Sequence, residues 1–565
     1  MKKLLLTIAV ALLSVTAINA QVLGTTEWNK TLTTVAAAED ATNGVMAIDD
    51  NGNLFVSGAL TTTATFGSTS LEPIGLAQYI VKYNAIGAEQ WATAIQGPAT
   101  ITAMDTDAEG NLYVAGTYTS EIMVYDADAV TYEELTEGEM NMLGDYAVSA
   151  FIVKYNASGT LEYVRSVQPT TNADIAASYS YYGSPYFKIN KIVAENGKLY
   201  ASAIYAGDVY VGTDLTLKGR YNFVGFFMYV DLPSAVVFSL DAEGMDNPAL
   251  VANMRSKEDI TSDMQYAVNT VNFAVDGNDV YAAFQGYGDF IVETATSSEQ
   301  VTFAVDGAGS NEHGAVIVKS GATTSIKKFS NVATDITTDS YDIISAMEVV
   351  EQNIYLAGTY SAYNPFDNTL STLNEGIQKS TSDIYVASIA KSNLTTNWVV
   401  STPDKNDQVN QEYEDLVGAM IYPNEVRMVT AVKKVSGNAV VSTSNQLVSF
   451  AGEVSVLNTE QATALAYNGD NAAYILNNST SSALYYGTIP VNELAGIEES
   501  VVDGTSNITY ANGMYIFTEA VDAQIYDVQG RCVKAVKAAT EIATEGLNKG
   551  VYILKAGSEV VKFVK

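Results

Sequence analysis

The sequence has 565 residues, with 29 lysines and arginines against 64 aspartates and glutamates, for a formal net charge of −35. Such an acid excess leaves no large basic surface for a phosphate backbone, so we expect no nucleic-acid partner. One histidine, His313, and one cysteine, Cys532, exclude disulfide frameworks and multi-histidine metal centres. We predict no metal site and no cofactor.

The first 20 residues have the pattern of a cleaved secretory signal. Lys2 and Lys3 precede an apolar stretch, Leu4 to Ala17, which is shorter than the roughly 20 residues that a membrane-spanning helix needs. Small side chains follow at Ala17 and Ala20. We therefore predict a signal peptide at residues 1–20, with the mature chain starting at Gln21.

A short phrase recurs between residues 21 and 490. Its clearest form is Glu-Gly-Asn-Leu-Tyr-Val-Ala-Gly at 109–116, a turn followed by a strand. The equivalent positions in the seven copies are Leu54, Leu112, Leu199, Val280, Ile354, Val426 and Ala473. A second phrase, Val-Lys-Tyr-Asn-Ala-x-Gly, occurs at 81–87 and 153–159 and is followed by an aromatic residue. Each unit therefore supplies about four short strands with period-2 alternation, which predicts an all-β fold, a β-propeller of about seven blades.

The segment around Trp28 looks like the outermost strand of a blade displaced to the N-terminus. The last unit, Ala464 to Ile489, lacks such a strand. Pairing the two would close the ring and leave no sheet edge between the first and last blades. The phrases resemble bacterial β-propeller repeats with a Gly-Asn-hydrophobic-Tyr-Val-x-Gly strand, and this resemblance implies architecture only.

The residue composition of the chain changes after Pro490. Residues 491–500 have the polar, glycine-containing character of a linker, and residues 501–565 are strand-rich. They carry Tyr-Asp-x-x-Gly-Arg at 526–531, Leu-x-x-Gly-Val-Tyr-Ile at 547–553, and a basic last strand that ends at Lys565. This segment resembles the type A C-terminal sorting domain of the type IX secretion system of Bacteroidetes.

That resemblance implies a small, immunoglobulin-like β-sandwich that directs export across the outer membrane. The expected partners are the secretion machinery, a surface sortase-like protease that removes the domain, and anionic lipopolysaccharide joined to the mature protein. The protein would be located on the cell surface or outside the cell. The residues that carry the resemblance, and hence the predicted sorting signal, are Tyr526, Asp527, Gly530, Arg531, Leu547, Gly550, Val551, Tyr552, Lys562 and Lys565.

Two features of the propeller sequence suggest chemistry and also have plainer explanations. Asp105 to Asn111 resembles the opening of a calcium loop, but a glycine, Gly116, stands where a bidentate glutamate is wanted, so we favour a repeated hairpin turn. His313 lies in a Ser-Asn-Glu-His-Gly segment without a nucleophile motif nearby, which favours a loop residue over a general base. We predict no catalytic residue.

Two insertions lengthen blades, and we expect neither to add strands. The first, Tyr132 to Glu139, is acidic, and the second, 179–187, is aromatic. Tyrosines on propeller loops are suited to stacking on sugar rings or anchoring a protein partner. The candidate ligand-binding residues are Tyr179, Tyr181, Tyr182 and Tyr186. The alternative is that these tyrosines cap the blade edges.

The sequence therefore predicts an exported β-propeller that acts as a binding or adhesive scaffold for an extracellular protein or glycan. The alternative is a polysaccharide-degrading enzyme, because paired Asp and Glu carboxylates in the propeller channel suffice for glycosidic chemistry without histidine.

Overall fold

The structure is a computed structural model. It describes residues 25–32, 44–128, 130–140, 144–171, 183–223, 229–257, 267–303, 314–330, 343–360, 364–366, 383–401, 413–421, 425–433, 444–449, 454–458, 462–469, 471–478, 481–488, 508–511, 514–527, 532–544, 547, 551–557 and 559–564. The predicted signal peptide and linker lie outside the described residues. The chain divides into two compact units, Met1–Ile489 and Pro490–Lys565.

The larger unit is built from β-strands only in its described part. It starts with β1 (Thr25–Leu32). The first blade and its insertion contain β2 (Met46–Ile48), β3 (Leu54–Ala59), β4 (Ala64–Phe66), β5 (Thr69–Leu71), β6 (Ala77–Tyr83) and β7 (Glu89–Gln96). The second contains β8 (Ala99–Thr106), β9 (Leu112–Tyr118), β10 (Ile122–Tyr125), β11 (Tyr132–Leu135), β12 (Ser149–Tyr155), β13 (Leu161–Val167) and β14 (Pro169–Thr170).

The third and fourth blades also carry insertions. The third contains β15 (Tyr186–Glu195), β16 (Lys198–Ala206), β17 (Asp208–Val211), β18 (Leu215–Leu217), β19 (Arg220–Phe223), β20 (Tyr229–Leu232), β21 (Ser234–Asp241) and β22 (Ala249–Ser256). The fourth contains β23 (Ala267–Asp276), β24 (Asp279–Tyr287), β25 (Asp289–Glu293), β26 (Ser298–Thr302), β27 (Gly314–Ser320) and β28 (Ser325–Ser330).

The last three blades have four strands each. The fifth contains β29 (Ile343–Val350), β30 (Asn353–Tyr360), β31 (Asp383–Ala390) and β32 (Thr396–Ser401). The sixth contains β33 (Tyr413–Ile421), β34 (Glu425–Lys433), β35 (Ser444–Ser449) and β36 (Val454–Asn458). The seventh contains β37 (Ala462–Asn468), β38 (Asn471–Asn478) and β39 (Ser481–Thr488), and β1 is its fourth strand.

This arrangement confirms the predicted seven-bladed β-propeller and its closure by the N-terminal strand. Each of the seven equivalent positions identified from the sequence lies on the second strand of its blade, including the weakly marked Val426 and Ala473. β1 pairs antiparallel with β39, and Trp28 lies opposite Tyr486. The Trp28 indole stacks on the Tyr486 ring at a centroid distance of 5.0 Å and donates a hydrogen bond of 3.0 Å to the Ala85 carbonyl.

The cores lie between neighbouring blades. Along β3, Leu54 and Val56 pack against blade seven, whereas Phe55 packs against blade two. Because successive side chains of a strand point to opposite faces, a strand covered by a blade on both sides is apolar throughout. This explains the continuous Leu-Phe-Val and Leu-Tyr-Val runs of the repeated phrase.

The lysine of the second phrase pairs with the aromatic residue of the first. Lys82 lies opposite Phe55, and Lys154 lies opposite Tyr113. The Lys82 and Lys154 ammonium groups lie 4.9 and 5.7 Å from the centroids of those rings. The Lys82 ammonium also donates to the Ala157 carbonyl at 3.0 Å, and the Lys154 ammonium pairs with Glu162 at 3.0 Å. Polar partners and a cation–π contact together let a nearly buried lysine recur inside an apolar strand.

The smaller unit has five strands, β40 (Ile508–Ala511), β41 (Met514–Asp527), β42 (Cys532–Ala543), β43 (Val551–Ala556) and β44 (Glu559–Val564). The long β41 pairs with β40, β42 and β43, and β44 pairs with β43. The register of β41 to β42 shifts between Ile516 and Ala523. Such irregularities bend a strand. Apolar side chains from both halves of β41 share one buried cluster, which includes Tyr515 and Ile525.

Candidate functional site

The seven innermost strands surround a channel that contains two cavities, of about 440 and 410 Å³. Side chains of all seven blades contribute to the walls. The shared wall residues are Val45, Met46, Thr102, Asn190, Lys191, Glu348, Leu465 and Tyr467. We define this set of cavities as the channel site.

A bulge interrupts the inner strand at an equivalent place in blades two to seven. The extra residues are Thr102, Asn190, Asn269, Ser345, Val417 and Thr463. Thr102 donates a hydrogen bond of 2.6 Å to the Ile189 carbonyl, and Asn190 donates one of 2.7 Å to the Val271 carbonyl. A bulge re-aims a side chain, and here it turns two polar groups toward the next blade. These bonds tie inner strands that share no backbone ladder.

Lys191 connects three blades across the channel. Its Nζ donates to the Phe273 and Met347 carbonyls at 2.8 and 3.1 Å, and lies 3.3 Å from Asn272 Oδ1. The Glu348 Oε1 atom lies 3.7 Å away. The Lys191 ammonium is therefore held mainly by backbone carbonyls of blades four and five.

Three carboxylates share the channel site with this single ammonium among its described lining residues. Burial raises the pKa of Asp105 to about 7, even though the Ala194 amide donates to Asp105 Oδ2 at 2.8 Å and Lys191 lies close enough to lower it. Burial also raises the pKa of Glu195, and the neighbouring charge of Glu348 adds to the effect. Perturbed acids in a cavity mark a candidate functional site.

The two ends of the channel site differ in chemistry. The cavity of about 440 Å³ extends to Asp105, Glu195 and Asn468, near the last residues of their strands. The cavity of about 410 Å³ extends the other way, to Ser345 and to the small residues Gly44, Gly418 and Ala464. One end is therefore acidic and the other uncharged, and Lys191 and Glu348 lie where they meet.

The propeller has two unlike faces. Where first strands turn into second strands, and third into fourth, at most seven residues intervene. We call this the short-turn face. The connections between second and third strands, and from one blade to the next, emerge at the opposite ends of the strands, and several are long, such as 119–148 and 207–233. We call this the loop-bearing face.

The candidate calcium loop is a hairpin turn of the short-turn face. Asp107 accepts hydrogen bonds from the Asn111 backbone and side chain, both at 2.9 Å, and from the Tyr113 hydroxyl at 3.1 Å. Asp49 accepts the same pattern from Asn53 in the first blade. These carboxylates are satisfied by their own turns, and among the described residues no group of three or more acidic, histidine or cysteine side chains is arranged to hold a metal.

Of the candidate ligand-binding tyrosines, only Tyr186 is described. It begins β15, where its ring is half-buried and lies 4.9 Å from Lys188 Nζ, and burial raises its pKa to about 12. Tyr179, Tyr181 and Tyr182 lie outside the described residues, as does His313. Tyr186 is therefore part of a blade strand and does not stand on an exposed loop.

The expectation that the acidic insertion adds no strand is wrong. Residues 132–135 form β11, which pairs with β10, and β10 in turn pairs with β7 of the preceding blade. The side chains of Glu133 and Glu134 are exposed on this outer strand. Charged residues on an edge strand oppose pairing with another chain, which gives this acidic sequence a structural reason.

Two further insertions also pair with strands of the preceding blade, and the sequence pattern did not predict this. The insertion of the third blade forms β17 and β18, which pair with β14 after the second blade, and the insertion of the fourth forms β25 and β26, which extend the third blade through β22. A shared phrase marks two of these hairpins: Gly207-Asp208 and Gly288-Asp289 precede alternating apolar residues. Both glycines have positive φ, 86° and 109°, which side chains other than glycine disfavour.

The smaller unit places several of the predicted sorting residues together. Asp527 and Tyr526, at the end of β41, pair with Tyr552 and Ile553 of β43, and Ile553 pairs with Lys562 of β44. Tyr552 is buried, and Leu547 packs against the same cluster. Val551 starts β43. Gly530, Arg531, Gly550 and Lys565 lie outside the described residues.

Residues 502–565 match the family model of the secretion system C-terminal sorting domain. The smaller unit is a C-terminal sorting domain. The sorting domain directs export across the outer membrane to the cell surface or the extracellular space, and it implies processing by the secretion machinery. Residues 502–565 carry seven basic and seven acidic side chains, so the entire acid excess of the chain belongs to the rest of the sequence.

Several solved structures resemble the chain at low identity. They include a quinohemoprotein alcohol dehydrogenase from Comamonas testosteroni (12% identity, 84% of this chain and 78% of that one, TM-score 0.37) and the Dos1 propeller (8%, 81% and 93%, 0.35). A GH93 α-L-arabinofuranosidase of Fusarium graminearum is also similar (10%, 74% and 96%, 0.33). These scores identify neither substrate nor cofactor.

No curated protein matches the chain. Within the part of the chain that the structure describes, no helix is long and apolar enough to cross a membrane.

Proposed function

We propose that this exported β-propeller is a binding scaffold whose loop-bearing face recognises an extracellular protein or glycan. The observation that carries the proposal is the asymmetry of the two faces. In hairpin turns of the short-turn face, Asp49 and Asp107 accept hydrogen bonds from residues of the same turn. The long connections all emerge on the other face. Binding residues typically lie on loops positioned by a rigid scaffold.

Exposed apolar side chains support this choice of face. Ile74 and Leu76, 65% and 70% exposed, precede β6 on the loop-bearing face. The Gln96 side chain holds this segment by accepting from the Ile74 amide at 2.8 Å and donating to the Glu72 carbonyl at 2.9 Å. An apolar pair held on an ordered loop is suited to contact a partner without a large ordering cost.

Binding is tested with the full chain on glycan and extracellular-protein arrays. The variants are Ile74→Ser/Leu76→Ser and the triple change of Tyr179, Tyr181 and Tyr182 to serine. The matched control is Ile86→Ser, because Ile86 is 81% exposed on the short-turn face. We expect the loop-face variants to lose captured ligand and the control to keep it. Capture that depends only on Ile86, or no capture at all, contradicts the proposal.

Export is tested by deleting residues 496–565. The sorting domain is a separate compact unit, and ring closure uses strands up to residue 488. We therefore expect the truncated chain to accumulate in the periplasm of its native host as a folded, protease-resistant propeller. Surface delivery of the truncated chain would refute the sorting role, and unfolding would refute the division into two domains. In the intact chain, we propose that a sortase-like protease removes the domain and that the propeller is joined to anionic lipopolysaccharide.

A second candidate function is cleavage of a polysaccharide in the channel. The observation that favours it is the raised pKa of Asp105, about 7, in a site shared with Glu348. A carboxyl group that stays partly protonated at neutral pH is suited to act as a general acid, with a second carboxylate as base or nucleophile. Reducing-end release from polysaccharides that Asp105→Asn and Glu348→Gln both abolish would favour the enzyme over the scaffold.

A further inference from the structure

Most hydrogen-bond donors of the channel wall are committed to the protein itself. Thr102 and Asn190 donate to carbonyls of the next blade, and Lys191 donates to two more. Asn272 Nδ2 reaches the Ile344 carbonyl at 3.4 Å. A ligand in the channel site therefore finds few wall donors to accept from.

The acceptors of the wall are in excess. Asp105 accepts from the Ala194 amide through Oδ2 at 2.8 Å and also from the Thr106 backbone, and Glu348 Oε1 lies 3.7 Å from the Lys191 ammonium. The Glu348 side chain is 41% exposed. An anionic ligand would meet three carboxylates and few free donors, so the wall selects against negative charge and for hydroxyl donors.

The volume of the cavities and the apolar part of their walls further restrict the class of ligand. Cavities of about 410 and 440 Å³ lie within the range that holds small molecules. Met46 and Leu465 offer apolar contact, and Tyr467 offers a ring. Apolar patches beside carboxylate and hydroxyl acceptors complement a sugar ring, which has C–H faces and hydroxyl edges.

We propose that the channel site binds a small uncharged saccharide unit, with its hydroxyl groups donating to Glu348 and Asp105. This site is separate from the loop-bearing face and does not depend on ligand binding there. The raised pKa of Asp105, about 7, supports the assignment, because a partly protonated carboxyl group both donates to and accepts from hydroxyl groups.

The test is calorimetric titration of the full chain with matched sugars that differ by one carboxylate. Galactose is compared with galacturonate, glucose with glucuronate, and mannose is added as a third neutral probe. We expect at least one neutral sugar to bind, and its uronate to bind at least about tenfold more weakly, because the added carboxylate would be repelled by the three carboxylates of the wall, which outnumber the single ammonium of Lys191.

Substitutions test whether the sugar binds in the channel site. Glu348→Gln should weaken the neutral sugar and reduce its advantage over the uronate, whereas Glu134→Gln, on the exposed strand β11, should change neither. Asp105→Asn, which removes the second proposed carboxylate acceptor, provides a second channel variant if Glu348→Gln does not fold. The proposal is overturned if no neutral sugar binds, if the uronate binds equally well, or if both channel variants bind like the unmodified chain. Binding of cadaverine at Glu348 in place of sugars would assign the site to cations and overturn it as well.

Discussion

The two faces of the propeller lie at opposite ends of the same strands, but their connections have different properties. On the short-turn face, Asp49 and Asp107 accept hydrogen bonds inside their own turns, so the pattern of the first blade repeats in the second. On the loop-bearing face the connections differ in length and sequence from one blade to the next. Repetition within the sequence therefore marks what the fold requires, and irregularity marks where a ligand-specific surface is available.

The largest expected effect comes from Trp28, which fastens blade seven to a turn of blade one. Trp28→Ala removes the stacking on Tyr486 and the hydrogen bond to the Ala85 carbonyl. We expect the free energy of unfolding to fall by about 3 kcal/mol, near the lower end of the range for buried aromatic truncations, because Trp28 is half-buried. Urea unfolding measures the change. Trp28→Phe keeps the ring contact and should lose less; equal losses for both variants would show that stacking contributes little to closure.

A loss of stability of intermediate size is expected from a substitution on the short-turn face, and it can be compared directly with a substitution on the loop-bearing face. Asp107→Ala leaves the turn donors of Asn111 and the Tyr113 hydroxyl without this acceptor, at a cost of about 1–3 kcal/mol. Glu121→Ala changes an exposed acid on the loop-bearing face and should stay within about 0.5 kcal/mol. Thermal unfolding of the two variants measures both losses. Similar losses at Asp107 and Glu121 would remove the distinction between the faces.

The last expected effect concerns pH and the channel between the faces. The pKa of Asp105 is raised from its ordinary value of 3.8 to about 7 on folding, so the folded state binds more protons between these values. The contribution of Asp105 to stability is therefore full below about pH 4 and is lost as the pH rises through 7. The difference in unfolding free energy between the unmodified chain and Asp105→Asn should decline over this window. A difference that stays constant with pH would show that Asp105 titrates normally.

Much of the architecture could be predicted because the repeated phrases are local. Strand two of the first blade is apolar on both sides, and Trp28 has an aromatic partner at the far end of the ring, so period and composition suffice. The sorting domain was recognisable because its motifs lie in contiguous strands.

The channel site could not be predicted, because its residues come from seven separate inner strands. Lys191 and Glu348 stand 157 positions apart in the chain and meet only when the ring closes. The donated hairpins were missed for a related reason: β10 is encoded in one blade and pairs with another, so the alternating pattern of residues 122–135 does not show which sheet it joins.

Closure by β1 also has a kinetic consequence. The first strand of the propeller is synthesised before all the others, but its partner, β39, comes more than 400 residues later. Contacts between distant segments form slowly, since a long loop must be closed before they form. The ring therefore stays open until synthesis passes residue 488, and during that interval β1 is without its partner strand. A factor that keeps the edge of β1 apart from other chains would raise the yield of exported protein without touching the finished fold.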